Sequence, residues 1–204
     1  MAKVVTGLVR FSFQHVFSPQ APQGGGEPKY SVTCLLPKTD TQTMELIKAA
    51  KAQATQEGIQ SKWGGTAPAV IPFPIHDGDG VRPNGEKFGP ECAGCWVFTA
   101  SSKQAPEVVD AQTQPIIGPN EFYSGCYGRV SFNIYPYFAA GKKGLGFGLN
   151  NVQKLKDGEP LGAARPTAEE DFGTPAAASQ QTAIPATPQI DPITGQPVDP
   201  GVPF

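Results

Sequence analysis

Residues 125–138 read Gly-Cys-Tyr-Gly-Arg-Val-Ser-Phe-Asn-Ile-Tyr-Pro-Tyr-Phe, and their alternation decides the fold class. In an extended strand successive side chains point to opposite faces. One face then carries Cys126, Gly128, Val130, Phe132, Ile134, Pro136 and Phe138, a core face. The other carries Tyr127, Arg129, Ser131, Asn133, Tyr135 and Tyr137, three rings and a guanidinium among small polar groups. The run 144–155 repeats the contrast: Leu145, Phe147 and Leu149 point one way, and Gly144, Gly146 and Gly148 leave the other side bare. Lys142 and Lys143 stand in the turn between the two runs.

Outward from this hairpin the chain is mostly strand. Residues 3–13 and 29–36 are rich in β-branched and aromatic types, and further strands are expected at 94–101 and around 106–110. One helix is expected, with Asp40 as its cap, Met44, Ile47 and Lys51 on one stripe, and Gly58 at its end. Its alanines at 49, 50, 52 and 54 suit close packing. Residues 59–92 read as a long loop with short strand pieces. The chain's 24 Gly and 22 Pro argue for strands joined by many turns and against a helical bundle. The expected fold is therefore mainly β: an OB-fold-like, five- to six-stranded Greek-key barrel with one helix. A β-sandwich is the alternative.

Charge divides the chain in two. The formal net charge is −2, but all 16 Lys and Arg lie in residues 1–165, with 13 of the 18 acids. Residues 166–204 hold five acids, eight prolines, no basic residue and few large apolar groups. Such a stretch cannot bury enough surface to offset its ordering entropy, so a disordered, mildly acidic tail follows a domain at 1–165. The tail opens with Glu169, Glu170, Asp171 and Phe172 and ends at Phe204. No apolar run reaches the roughly 20 residues of a membrane helix, and the start is too short and mixed for a signal peptide. A cytoplasmic protein with free thiols is the expectation.

The tyrosine face points to a chemistry. A nucleobase stacks on any aromatic plane, worth about 1–3 kcal/mol per base, while a neighbouring cation holds the phosphate. Tyr127, Arg129, Tyr135 and Tyr137, with Lys142 and Lys143 at the hairpin tip, meet both needs; the competing reading is a solvated face on which tyrosines cover the sheet edge. Lys62-Trp63 beside Gly64-Gly65, Arg82, Lys87-Phe88 and Lys103 add cations and rings, with Trp63 as a stacking finger and Trp96 as core. Cys92 and Cys95 have zinc-ligand spacing that Cys34 and Cys126 could complete, but a second close pair is missing. Residues 76–80 (His-Asp-Gly-Asp-Gly) fail the ligand pattern of a calcium loop and read as a tight turn. The glycines at 144–148 lack the Lys-Ser/Thr of a phosphate cradle. No catalytic constellation is found, and nothing in the sequence calls for a cofactor.

Phe122-Tyr123-Ser124-Gly125-Cys126-Tyr127-Gly128-Arg129, Asn133 through Tyr137, Lys143 through Gly146 and Leu149 through Leu155 resemble a bacteriophage family of OB-fold single-stranded DNA-binding proteins. More distantly, residues 3–165 are similar to the single-stranded DNA-binding protein of T7-type phages. The resemblance implies sequence-nonspecific binding of single-stranded DNA in phage replication and recombination, in the cytoplasm of the infected host, without enzymatic activity. It places Tyr127, Arg129, Tyr135 and Tyr137 on or beside a basic groove. It further implies a phage DNA polymerase, helicase/primase or recombinase as partner, and a homodimer. In the family an acidic tail ending in an aromatic residue competes for the groove; here Phe204 ends the chain, but the acids cluster at 169–171. A scaffold β-sandwich and a zinc module on the four cysteines are the alternatives.

Overall fold

A computed structural model of the chain describes residues 2–22, 25–82, 84–139 and 141–162. Its elements are β1 (Ala2–Val5), β2 (Val9–Gln20), β3 (Lys29–Pro37), α1 (Thr41–Ser61), β4 (Ile75–Asp77), β5 (Cys95–Ser102), β6 (Glu107–Val109), β7 (Tyr127–Ala139) and β8 (Lys142–Lys156), with a 3-10 turn at Pro90–Cys92. All eight described strands belong to one sheet, so the two-sheet sandwich is not what forms. The strand count exceeds the expected five or six for two reasons. The run 3–13 breaks at Gly7, whose N–H leaves the sheet to donate to Thr43 Oγ1 at 2.8 Å. The three-residue β4 pairs with β5 inside the long loop.

Hydrogen bonding closes the central strands on themselves. β7 pairs antiparallel with both β2 and β8, β2 with β3, and β3 with β5. β5 meets β8 in parallel at Ser101 and Gly148, so the path from β7 through β2, β3, β5 and β8 returns to β7. β1 adds to β7, and β6 adds in parallel to β8. Inside, Phe98, Phe132 and Phe147 of β5, β7 and β8 meet with ring centroids 4.9–5.5 Å apart.

β7 keeps its alternation, and Cys126, Val130, Phe132 and Ile134 are buried. Phe138 departs from the expected core face: it is 56% exposed, because at the hairpin the strand has run past the core. β8 changes phase. Ser131 faces Asn151 and Phe132 faces Leu149, so Asn150 is an extra residue, and the buried positions shift from Leu149 to Val152. The bulged Asn150 turns its amide to β7, accepting from Asn133 Nδ2 at 2.9 Å. β2 has a bulge too. Between Ser12 and His15 it carries one more residue than β3, and Phe13 takes a left-handed φ of +43°.

The helix starts as expected: Asp40 Oδ1 accepts from the Thr43 N–H at 2.9 Å and Oδ2 from its hydroxyl at 2.7 Å. Its buried stripe is Thr43, Ile47, Ala50, Ala54 and Gly58, a narrow, small-residue face that lets it approach β1 and β7. Met44 is half-buried and Lys51 sits 4.6 Å from the Phe73 ring, off the stripe proposed for them. Gly58 does not end the helix. A Cβ there would lie 2.8 Å from the Trp63 ring and 2.9 Å from Pro136, so glycine is what admits the tryptophan.

Candidate nucleic-acid interface

Paired residues of neighbouring antiparallel strands share a face, so the register states what surrounds the tyrosines. Tyr135 lies opposite Gly146 and Tyr137 opposite Gly144. The glycines of β8 are therefore not bare. A Cβ at Gly144 would stand 2.5–2.9 Å from the Tyr137 ring and hydroxyl, and one at Gly146 would stand 2.8–3.2 Å from Tyr135. Each phenol lies across the backbone of its neighbour, where any other residue would lift it. Both rings remain half-exposed.

The same register brings cations to this face. Lys3 of β1 pairs with Asn133, Lys142 with Ala139, Lys156 with Tyr127, and Arg10 of β2 with Tyr127 from the other side. With Arg129 they make five basic residues. The face carries no carboxylate on β1, β7 or β8; Glu107 of β6, beside Asn151, and Asp157, next to Lys156, are acids at its margin. Lys3 was not singled out from the sequence, because only the β1–β7 pairing places it here.

The two hairpin lysines part company. Lys143 pairs with Phe138 and so points to the opposite side from Tyr137. Its ammonium donates to the carbonyls of Trp63 at 2.6 Å and Thr66 at 3.3 Å. Lys142 is exposed on the tyrosine side. Trp63 is no stacking finger: it is 2% exposed, and its Nε1–H donates to the Tyr137 carbonyl at 2.9 Å. A ring so covered anchors the strand end on which Tyr137 sits. Lys62 beside it is exposed.

Tyr127 occupies the far end of β7, about 27 Å from Tyr135 at some 3.4 Å per residue. Arg10 lies 5.6 Å and Lys156 4.8 Å from its ring centre. Arg10 is held in turn by the carbonyls of Glu159 at 2.7 Å and Gly125 at 3.3 Å. The structure thus strings the tyrosines and Arg129 along one strand and does not gather them in one pocket. Lys103 lies elsewhere, in an ion pair with Glu27.

Sequence reasoning missed a hollow of about 430 Å³ on the outer side of β2, β3 and β5. Phe13, His76, Arg82 and Phe88 line it, with the paired hydroxyls of Thr33 and Thr99, 2.8 Å apart. Strand parity alone would turn Phe13 inward after Val9 and Phe11; the β2 bulge turns it out. Lys87 near this hollow is exposed. Lys38 latches the turn at Asp77 and Asp79, at 2.5 and 2.7 Å. Its hydrogen bonds, helped by the backbone N–H groups of Asp79 and Gly94, hold both carboxyls below the usual range. Trp96 is half-buried with the Lys38 ammonium 5.1 Å from its ring.

Compared with known families, residues 2–183 match the one described as Enterobacter phage Enc34, ssDNA-binding protein. The chain belongs to this Enc34 family. The chain is 31% identical over 180 residues to protein p50 of Acyrthosiphon pisum secondary endosymbiont phage 1, across 83% of this chain and 92% of that protein. The solved structure of the single-stranded DNA-binding protein from bacteriophage Enc34 in complex with ssDNA is 30% identical. It superposes with a TM-score of 0.65 over 79% of this chain and 90% of that one. The crystal structure of gp2.5, a single-stranded DNA-binding protein encoded by bacteriophage T7, is 14% identical. It shares the fold, with a TM-score of 0.52 over 82% of this chain and 98% of that one. The resemblance drawn from the stretches between Phe122 and Leu155 is therefore borne out.

In this Enc34-family chain the cysteines do not converge. Among the described residues no three His, Cys, Asp or Glu side chains are grouped to hold a metal ion, which removes the four-thiolate site. Burial pushes the Cys92 thiol up to about 11 and raises Cys34, Cys95 and Cys126 as well, keeping them protonated. The match to the Enc34 family reaches residue 183 and so takes in Glu169, Glu170, Asp171 and Phe172 but not Phe204. These five tail residues lie outside the described residues.

Proposed function

We infer that this protein binds single-stranded DNA without sequence preference, in phage replication and recombination inside the infected host. The closed path of five strands is read as an OB-type barrel, and the outer face of β1, β7 and β8 as its DNA track. One observation carries the reading: Tyr135 and Tyr137 lie on a glycine bed with the five cations spread along the same face. A flat ring supported from below has its upper side free for a base, and stacking tolerates any base because all have a π-face. The cations hold phosphates, which explains affinity without readout of sequence. Neither role needs a nucleophile, an acid or a metal. A phage DNA polymerase, helicase/primase or recombinase would be recruited through the acidic tail.

Filter binding to a dT oligonucleotide, with a duplex of equal length as control, tests this. The single strand is expected to bind more tightly, and Tyr135→Ala or Tyr137→Ala to cost about 1–3 kcal/mol each. Equal affinity for duplex, or no binding at low salt, would falsify the reading. Failure to bind any oligonucleotide together with defined assemblies would favour the scaffold alternative.

A further inference from the structure

β1 lies at the end of the sheet, and among the described residues it pairs with β7 alone. The Thr6 N–H donates to the Val130 carbonyl at 3.1 Å, in register with the ladder that pairs Val4 with Phe132 and Ala2 with Ile134. Hydrogen-bonded and non-hydrogen-bonded positions alternate along an antiparallel pair. Lys3 and Val5 therefore direct their N–H and C=O groups away from β7, to the open edge.

A groove runs along that edge. The hollow there, about 250 Å³, is lined by all four residues of Ala2–Val5 and, across it, by Leu46, Ala49, Ala50 and Gln53 of α1. Alternate residues would line a hollow on a sheet face; four in succession mark a strand edge. Positions 46, 49, 50 and 53 form one stripe of a helix. The alanines leave room for a second backbone, while Leu46 and Val5 are 50% and 46% exposed. An unpaired strand edge is where an extended peptide adds as a further strand, its main chain bonding to the edge and its alternate side chains meeting the groove. At about 3.4 Å per residue, an edge of this length takes roughly four residues of peptide.

Charge narrows the occupant. Lys3 is the charged residue in the groove lining, and Lys48 and Lys51 line an adjoining hollow that shares Gln53. No acid lines either hollow; Glu45 of the same helix stands outside both. A second copy pairing through this edge would place Lys3 and its image in one short ladder, where like charges repel and where edge lysines ordinarily discourage pairing. An acidic segment of another protein meets no such cost.

We propose that the groove between β1 and α1 is a docking site for an extended acidic peptide of a partner protein, with apolar side chains at alternate positions, which joins the sheet beside β1. The inference goes beyond DNA binding and does not depend on it.

The test is an NMR titration of the full chain with a synthetic heptapeptide of alternating Glu and Val, and with a Lys/Val heptapeptide as control. The Glu/Val peptide is expected to shift the amides of Lys3, Val5 and residues 46–53, to slow hydrogen exchange at Lys3 and Val5, and to bind at least about tenfold more tightly than the control. Val5→Pro removes one outward N–H and leaves the ladder to β7 intact, because proline is tolerated on the open side of an edge strand. It is expected to weaken the Glu/Val peptide about tenfold, since the carbonyl it served loses its donor. Ala49→Glu narrows the groove and adds a repelling charge far from the ladder. It is expected to weaken the same peptide as much, with oligo-dT affinity within about twofold, as for independent sites. No shifts at these amides, equal binding of the two peptides, or an unchanged peptide affinity in Ala49→Glu overturns the proposal. So does self-association that Ala49→Glu abolishes, which would give the edge to a second copy. Tighter seating of a peptide of residues 166–175 would give it to the chain's own tail and overturns the proposal as well. Because peptide binding is read without DNA, failure of the single-stranded DNA reading would leave this result standing.

Discussion

Phe13 and Gly146 show how much single positions decide here. A side-chain-bearing residue in the left-handed region costs roughly 1–2 kcal/mol, while glycine enters it freely and loses more chain entropy on folding. Phe13→Ala and Phe13→Gly remove the same ring, so urea denaturation should find the glycine variant more stable by about 1 kcal/mol. At Gly146 an added Cβ meets the Tyr135 ring at 2.8 Å, so Gly146→Ala must raise the ring from its bed. Weaker oligo-dT binding with a near-normal denaturation midpoint is the expected outcome for that variant. The hairpin lysines offer a sharper contrast. Lys142→Ala and Arg129→Ala should each flatten the log–log salt dependence of binding by about 0.7. Lys143→Ala, whose ammonium serves two carbonyls, should leave that slope alone and lower stability instead.

At the scale of elements, the latch on β4 makes a pH prediction. Asp77 and Asp79 have carboxyls held below their ordinary pKa of 3.8, first by the Lys38 hydrogen bond. Carboxyls depressed in the folded state stabilise it above the ordinary pKa, and that contribution disappears as the pH falls through the folded-state values. Carboxyl NMR titration should find both groups low, and Lys38→Met should return them toward ordinary values. The helix cap is similar in kind: Asp40→Ala removes an acceptor for the Thr43 N–H and should cost about 1 kcal/mol in thermal or urea melts. Much at this scale was legible in advance. Alternation in β7, the cap at Asp40 and the inward Leu145, Phe147 and Leu149 follow from period and chemistry alone. What escaped depends on register. The bulges at Phe13 and Asn150 each add one residue and reverse the faces beyond it, and local composition does not mark where that residue falls. Trp63 looked like a loop finger because its neighbours are Gly64 and Gly65. Only packing against Gly58 and Pro136 makes it core. Lys3, Arg10 and Lys156 joined the face beside Lys142, and Lys143 left it, through cross-strand pairing.

For the whole molecule, charge distribution matters more than its sum. The chain's net charge of −2 would discourage any polyanion, yet residues 1–165 carry 16 bases against 13 acids. The bases of the proposed track are those that the register aligns with the tyrosines. Deleting residues 166–204 removes five acids and no base, so affinity for oligo-dT should rise, most at low ionic strength where screening is weakest. An unchanged affinity would assign the tail to protein partners alone. The face on β1, β7 and β8 is tested most directly by salt titration of oligo-dT binding in the unaltered chain and in Tyr135→Ala/Tyr137→Ala. With about five phosphate contacts the expected log–log slope is near −3.5 for both proteins, because rings carry no charge. The double variant should be weaker by at least about tenfold at every salt concentration. Superimposable curves for the two proteins, or a slope near zero, would contradict a track built from supported rings and aligned cations.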